Sequence, residues 1–183
     1  MFRYKDELKN YIRIMSKQWM ENVPAYFETY LKLVKEDDIT EALENTWREL
    51  TSLIKNVDDV KANHAYEEGK WTIKEMLLHM IDTERIFQYR SLSIARGEMN
   101  ELPGFDHNRY AENSKANART LASIMDEFRS VRNASITLYE NLAEGRLKFK
   151  GMANGLVVQP VQYGYITSGH VRHHINVIQS RYI

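Results

Sequence analysis

Apolar residues recur at helical spacing along most of the chain, and the breaks in that pattern mark caps, turns and one long connection. Tyr4, Leu8, Tyr11, Ile12, Met15 and Trp19 trace a first amphipathic helix over residues 1–22, closing near Pro24, and the aromatic segment PAYFETYLKLV follows. Asp38 and Glu41 stand at capping-box spacing, with Asp in place of the usual Ser or Thr, ahead of a stripe of Leu43, Trp47, Leu50 and Ile54. Thr72 and Glu75 form a second box before Met76, Leu77, Met80, Ile81 and Phe87, and Gly97 is placed to stop that helix.

The next stretch, GEMNELPGFDHNRYAEN, is too polar and too broken for a helix and reads as a long connection, of a kind more often functional than decorative. Leu121, Ile124, Met125, Phe128, Val131, Ser135, Leu138 and Leu142 then draw another helical face. In RLKFKGMANGLVVQP two short apolar runs flank Asn154-Gly155, the dipeptide suited to the positive φ angles of a type I′ turn, which predicts a small β-hairpin. Pro160 suits a first helical position, and from it the chain runs helically to its end. No repeat or linker divides the sequence, so one domain over 1–183 is expected.

Composition narrows this picture. Among 183 residues there are only 8 Gly and 3 Pro, which favours long helices, and a hydrophobic fraction of 43% is ample for one core, so the fold class is all-α. The 25 basic and 25 acidic residues cancel, which removes the general electrostatic reason to bind nucleic acid. With no Cys there is no disulfide, no Cys-based metal site and no thiolate nucleophile. No apolar run approaches the ~18 residues of a membrane span and the first residues lack a signal-peptide core, so the expected address is the cytoplasm.

Chemistry is left to the histidines. The sequence has no Gly-rich phosphate loop, Walker lysine, G-x-S-x-G elbow, HExxH or EF-hand loop. His170 and His174 are one helical turn apart, so they project side by side and can share an ion, whereas His173 points about 100° away from His174. His79 sits among Met76, Leu77, Leu78 and Met80, and an imidazole on an apolar stripe needs a partner. It is read either as a third ligand from another helix or as a hydrogen-bonded core histidine with a solvated HVRHH run.

The runs GKWTIKEMLLHMIDTERIFQYRSLSIARGEMNELPGFD at 69–106, DEFRSVR at 126–132 and GMANGLVVQPVQYGYITSGHVRHHINVIQSRY at 151–182 resemble the DinB-like superfamily. The resemblance extends over 39–183 and leaves 1–22 as an added helix. It implies an antiparallel four-helix bundle, often a homodimer, with a divalent metal held by His79 from the second bundle helix and by His170 and His174 from the last. His173 matches a position that is often His in that family without being a ligand. Zn and Ni are the imidazole-compatible ions. Three His ligands leave coordination positions open, as catalytic zinc sites do. The implied activity is a metal-dependent S-transferase that activates a low-molecular-weight thiol, as bacillithiol- and mycothiol-dependent relatives do. A hydrolase using water and a non-catalytic metal-binding stress protein are the alternatives. Asp82, three residues after His79, can orient a ligand or act as a base, or it is an ordinary ion-paired carboxylate. Glu84 and Arg85 are expected to be structural, Asn154 to serve its turn, and Trp71, Phe87 and Tyr89 to be core or pocket wall.

Overall fold

Residues 23–183 are described by the structure, a computed structural model, and the helix expected over 1–22 lies outside the described residues. The elements in chain order are α1 (Ala25–Leu31), α2 (Ile39–Ile54), α3 (Asp59–Ala62), α4 (Ile73–Ala95), α5 (His107–Asn113), a 3₁₀ turn (Ala116–Ala118), α6 (Leu121–Glu140), α7 (Glu144–Leu147), β1 (Gly151–Ala153), β2 (Leu156–Val158) and α8 (Pro160–Arg181).

Local sequence explains most of these boundaries. Thr72 and Glu75 make the full reciprocal box at the start of α4. Asp38 caps α2 by accepting from the Glu41 N–H at 2.8 Å, and Thr40 donates to the same carboxylate. The cap is therefore one-way: no return bond from the Glu41 side chain accompanies it among the described residues. At the end of α4 the Gly97 and Glu98 N–H groups bond the Ile94 and Ser93 carbonyls, each at 3.0 Å, which is a Schellman closure. Asn154 and Gly155 both have positive φ, 52° and 73°, and close the β1–β2 hairpin with Ala153 opposite Leu156.

The sequence pattern misses two seven-residue helices. The aromatic lead-in forms α1, which buries Phe27 and Leu31. The connection read as non-helical carries α5, because Asp106 caps the Asn108 and Arg109 N–H groups. Tyr89, expected in the core or a pocket wall, is 55% exposed, whereas Phe87 is buried.

The chain forms the expected four-helix bundle, in which α2 and α4 each pack on both α6 and α8 and stand across from one another. Trp47 meets Phe128 and Leu43 meets Arg132, so α2 and α6 run antiparallel. Phe87 meets Tyr163 while His79 meets His170, so α4 and α8 also run antiparallel. The other two seams are parallel: Arg85 reaches Glu127 and Ser91 reaches Tyr139 across α4–α6, and Ile39 lies by Gly164 and Glu49 by Arg172 across α2–α8. A parallel α4–α6 pair needs a crossover that returns along the bundle. That is the physical reason for the long connection, and it brings α5 past the early turns of α4.

One buried cluster joins Leu50, Leu77, Met80, Ile81, Ile124, Phe128 and Ile178 at the end where α4 begins. A second joins Phe27, Leu43, Phe87, Tyr139, Tyr163 and Ile166 around α1 and the start of α8.

Candidate metal centre

On the α4–α8 seam, His79 near the start of one helix meets His170 and His174 on the later half of the other, because the helices run in opposite directions. The His170 Nε2 lies 3.0 Å from both the His79 Nε2 and the His174 Nε2, and the three candidate donor nitrogens all fall within 4.8 Å of one another. This is the grouping expected from sequence. Asp82 is not in it.

A neutral imidazole carries one N–H and one lone pair, so a single His170 Nε2 cannot satisfy two facing nitrogens at once. Three lone pairs directed at one cation remove the conflict, and two nitrogens each ~2.1 Å from a shared ion stand roughly 3.0–3.4 Å apart. The donor set thus fits a divalent metal. Burial lowers the His79 pKa to about 4, with His107 and His173 adding to it, and holds His170 and His174 well below their ordinary range as well. All three are neutral near pH 7, the protonation state that metal ligands require. The buried Nδ1 of His174 has no hydrogen-bond partner among the described residues.

Two aromatic residues hold the centre from either side. Tyr30 of α1 sets its ring edge-on to His170 at 5.3 Å and to His173 at 5.6 Å, and burial pushes its phenol up to about 12, so it stays protonated. The close approach needs Gly169, because a Cβ there would collide with the Tyr30 backbone carbonyl. Trp71, half-buried, lies 4.8 Å from His79, and its carbonyl accepts from the Tyr182 hydroxyl. His173 stays outside the trio.

Asp82 lies about 60° around α4 from His79 and pairs with Arg85 at 3.7 Å. Burial raises its pKa; Arg85 opposes the shift and Glu127 adds to it. Glu84 and Arg85 are structural, as expected: Glu84 accepts two bonds from the buried Arg132, and Arg85 bonds Glu127 at 2.6 Å. Sequence reasoning gave no role to Tyr30 or His107. For His107 the one signal was its place in the long connection.

A family model described as the DinB superfamily matches residues 42–178, well over half of the 183-residue chain. The chain belongs to the DinB superfamily. All three histidines fall inside the matched span, whereas α1 with Tyr30 precedes it. A search of the curated proteins finds no match. Among solved structures, YfiT from Bacillus subtilis superposes with a TM-score of 0.68 at 16% sequence identity, covering 79% of this chain and 83% of that one. It is described as "a probable metal-dependent hydrolase with an unusual four-helix bundle topology". At that identity the likeness shows a shared fold.

Proposed function

We propose that this DinB-superfamily protein is a metal-dependent enzyme in which His79, His170 and His174 hold one divalent cation, Zn or Ni, and leave coordination positions free for a small nucleophile. The observation that carries this reading is the convergence of three neutral imidazole nitrogens that have no other hydrogen-bond partner among the described residues. When bound, such an ion supplies Lewis acidity that brings a water or a thiol toward deprotonation near neutral pH. The chain keeps the lone pairs available by burial and orients the rings by packing Tyr30 and Trp71 against them. Asp82, one turn after His79 on α4, enters as a candidate base, a role supported by its raised pKa.

Water is the first nucleophile in this proposal, giving hydrolysis of a small molecule, and the description of YfiT supports it. A thiol is the second, supported by the sequence resemblance to thiol-transferring relatives; with no Cys in the chain, the sulfur must arrive as a cosubstrate. The test loads the protein with Zn or Ni and compares it with His79→Ala. An ester and amide panel is run without thiol, and a model electrophile with several thiols. Turnover in the first panel selects the hydrolase, and turnover only with thiol selects the transferase. Metal content equal to that of His79→Ala overturns the centre itself. Stoichiometric metal with no rate above the variant in either panel overturns the enzymatic reading and leaves a metal-binding stress or interaction protein. We also propose a homodimer from the same resemblance, checked by light scattering of the full chain.

A further inference from the structure

The crossover from α4 to α6 is pinned at successive points. The Leu102 N–H donates to the Met152 carbonyl and the Asn154 N–H to the Leu102 carbonyl, both at 2.9 Å, so the hairpin grips the connection in register. The Glu101 carboxylate accepts from the Gly155 N–H at 2.7 Å, and the buried Arg90 donates to the Pro103 carbonyl at 2.7 Å. Asp106 then caps α5 and sets His107 as its first residue. A segment held this firmly delivers its side chains to defined places.

His107 arrives at the metal centre. Its ring lies 5.9 Å from His79 and 6.0 Å from Trp71, and with Trp71 4.8 Å from His79 the three rings close a triangle in which each touches the other two. It is exposed, it stands outside the trio, and its ring nitrogens have no hydrogen-bond partner among the described residues. Its electrostatic influence reaches both His79 and His170. Core packing does not require an exposed imidazole here. An imidazole with free nitrogens, in ring contact with one member of the three-His group, is suited to bonding a small molecule that an ion held there would bind.

We propose that His107 is a binding residue of this centre, donating a hydrogen bond to a small anion or carboxylate oxygen at the open coordination position, and that it is not itself a ligand. The proposal rests on the three-His metal reading above.

Cobalt-loaded full-length protein, titrated with azide and followed by visible absorption, tests it beside His107→Ala, His107→Gln and His79→Ala. The expected result is cobalt content unchanged in both His107 variants, azide binding about tenfold weaker in His107→Ala, and partial recovery in His107→Gln, which keeps a donor. Circular dichroism confirms folding, and His107→Gln carries the test if the alanine variant does not fold. Azide binding equal to wild type in both variants overturns the proposal. Cobalt content falling to that of His79→Ala also overturns it, because His107 would then be a ligand. Wild-type cobalt content no higher than that of His79→Ala removes the metal reading first, a failure seen in stoichiometry before any azide is added.

Discussion

Two polar clusters hang from opposite faces of α4, and they are built on opposite principles. Toward α6, the Glu84 carboxylate takes hydrogen bonds from the Arg132 Nε and Nη2 at 2.9 and 2.8 Å and from the Ser135 hydroxyl at 2.6 Å, while Arg132 Nη1 serves the Leu43 carbonyl and Thr46. Every charge there is met inside the protein. Toward α8, three imidazole nitrogens face one another, and the single His170 Nε2 cannot pair fully with both of its neighbours whichever tautomer each ring takes. The first arrangement is a closed circuit that ties α2, α4 and α6 together. The second is complete only with something from outside, and that difference separates a structural cluster from a functional one.

The largest effect should come from opening the closed circuit. Arg132→Ala leaves the Glu84 carboxylate buried without its partner, with both side chains of the pair 1% exposed, and should cost about 3–5 kcal/mol in urea unfolding. Replacing both members, Arg132→Leu with Glu84→Met, should recover most of that loss, because no stranded charge remains. If the double variant is as unstable as the single, the pair acts through shape and not through charge satisfaction.

How much of each cluster was legible in the sequence follows from the distances involved. The Thr72–Glu75 box, the Asn154-Gly155 turn, Pro160 and the His170–His174 pair are contained within a turn or two of chain, so spacing alone exposes them. His79 was legible as a misfit on an apolar stripe. Arg132 was not, because a charged residue on an amphipathic helix is normally solvated, and its partner lies 48 positions away. The parallel α4–α6 seam was equally hidden. Periodicity reports which face of a helix is buried and says nothing of its direction, so the crossover and the arrival of His107 beside His79 could not be read. Tyr30 approaches through the missing side chain of Gly169, a complementarity that no local pattern records.

Acid should distinguish the buried histidines from a paired carboxylate elsewhere in the fold by where stability is lost. In the unfolded metal-free chain, His79 protonates near its ordinary 6.5, whereas burial, then His107 and His173, hold it near 4 in the fold. Between these values the unfolded state binds more protons, so this stability is complete above about pH 6.5 and is lost as pH falls toward 4. His170 and His174 shift the same way. A paired carboxylate behaves differently. For Glu36, burial acts to raise the pKa, but hydrogen bonds from Arg172 and Asn45 outweigh it and lower the value from 4.5 to about 2. Its contribution is therefore complete above pH 4.5 and lost on the way to 2. Urea unfolding of the metal-free protein at pH 7.5, 5 and 3 should show two separate losses, the upper one smaller in His170→Leu. A flat profile between pH 7.5 and 5 would contradict the burial of the histidines as neutral groups.

The smallest structural effect should come from Asp82, which belongs to neither cluster. Its 3.7 Å contact with the half-exposed Arg85 is a partly solvated pair, so Asp82→Asn should change stability by less than about 0.5 kcal/mol. Metal content should match wild type, since the carboxylate is not among the converging donors. Only turnover then carries information about it. A base in the reaction should lower the rate by roughly a hundredfold when replaced by an amide of the same shape. Wild-type turnover in Asp82→Asn would reduce this carboxylate to the ion pair it makes with Arg85 and leave the proton to be accepted elsewhere at the open face.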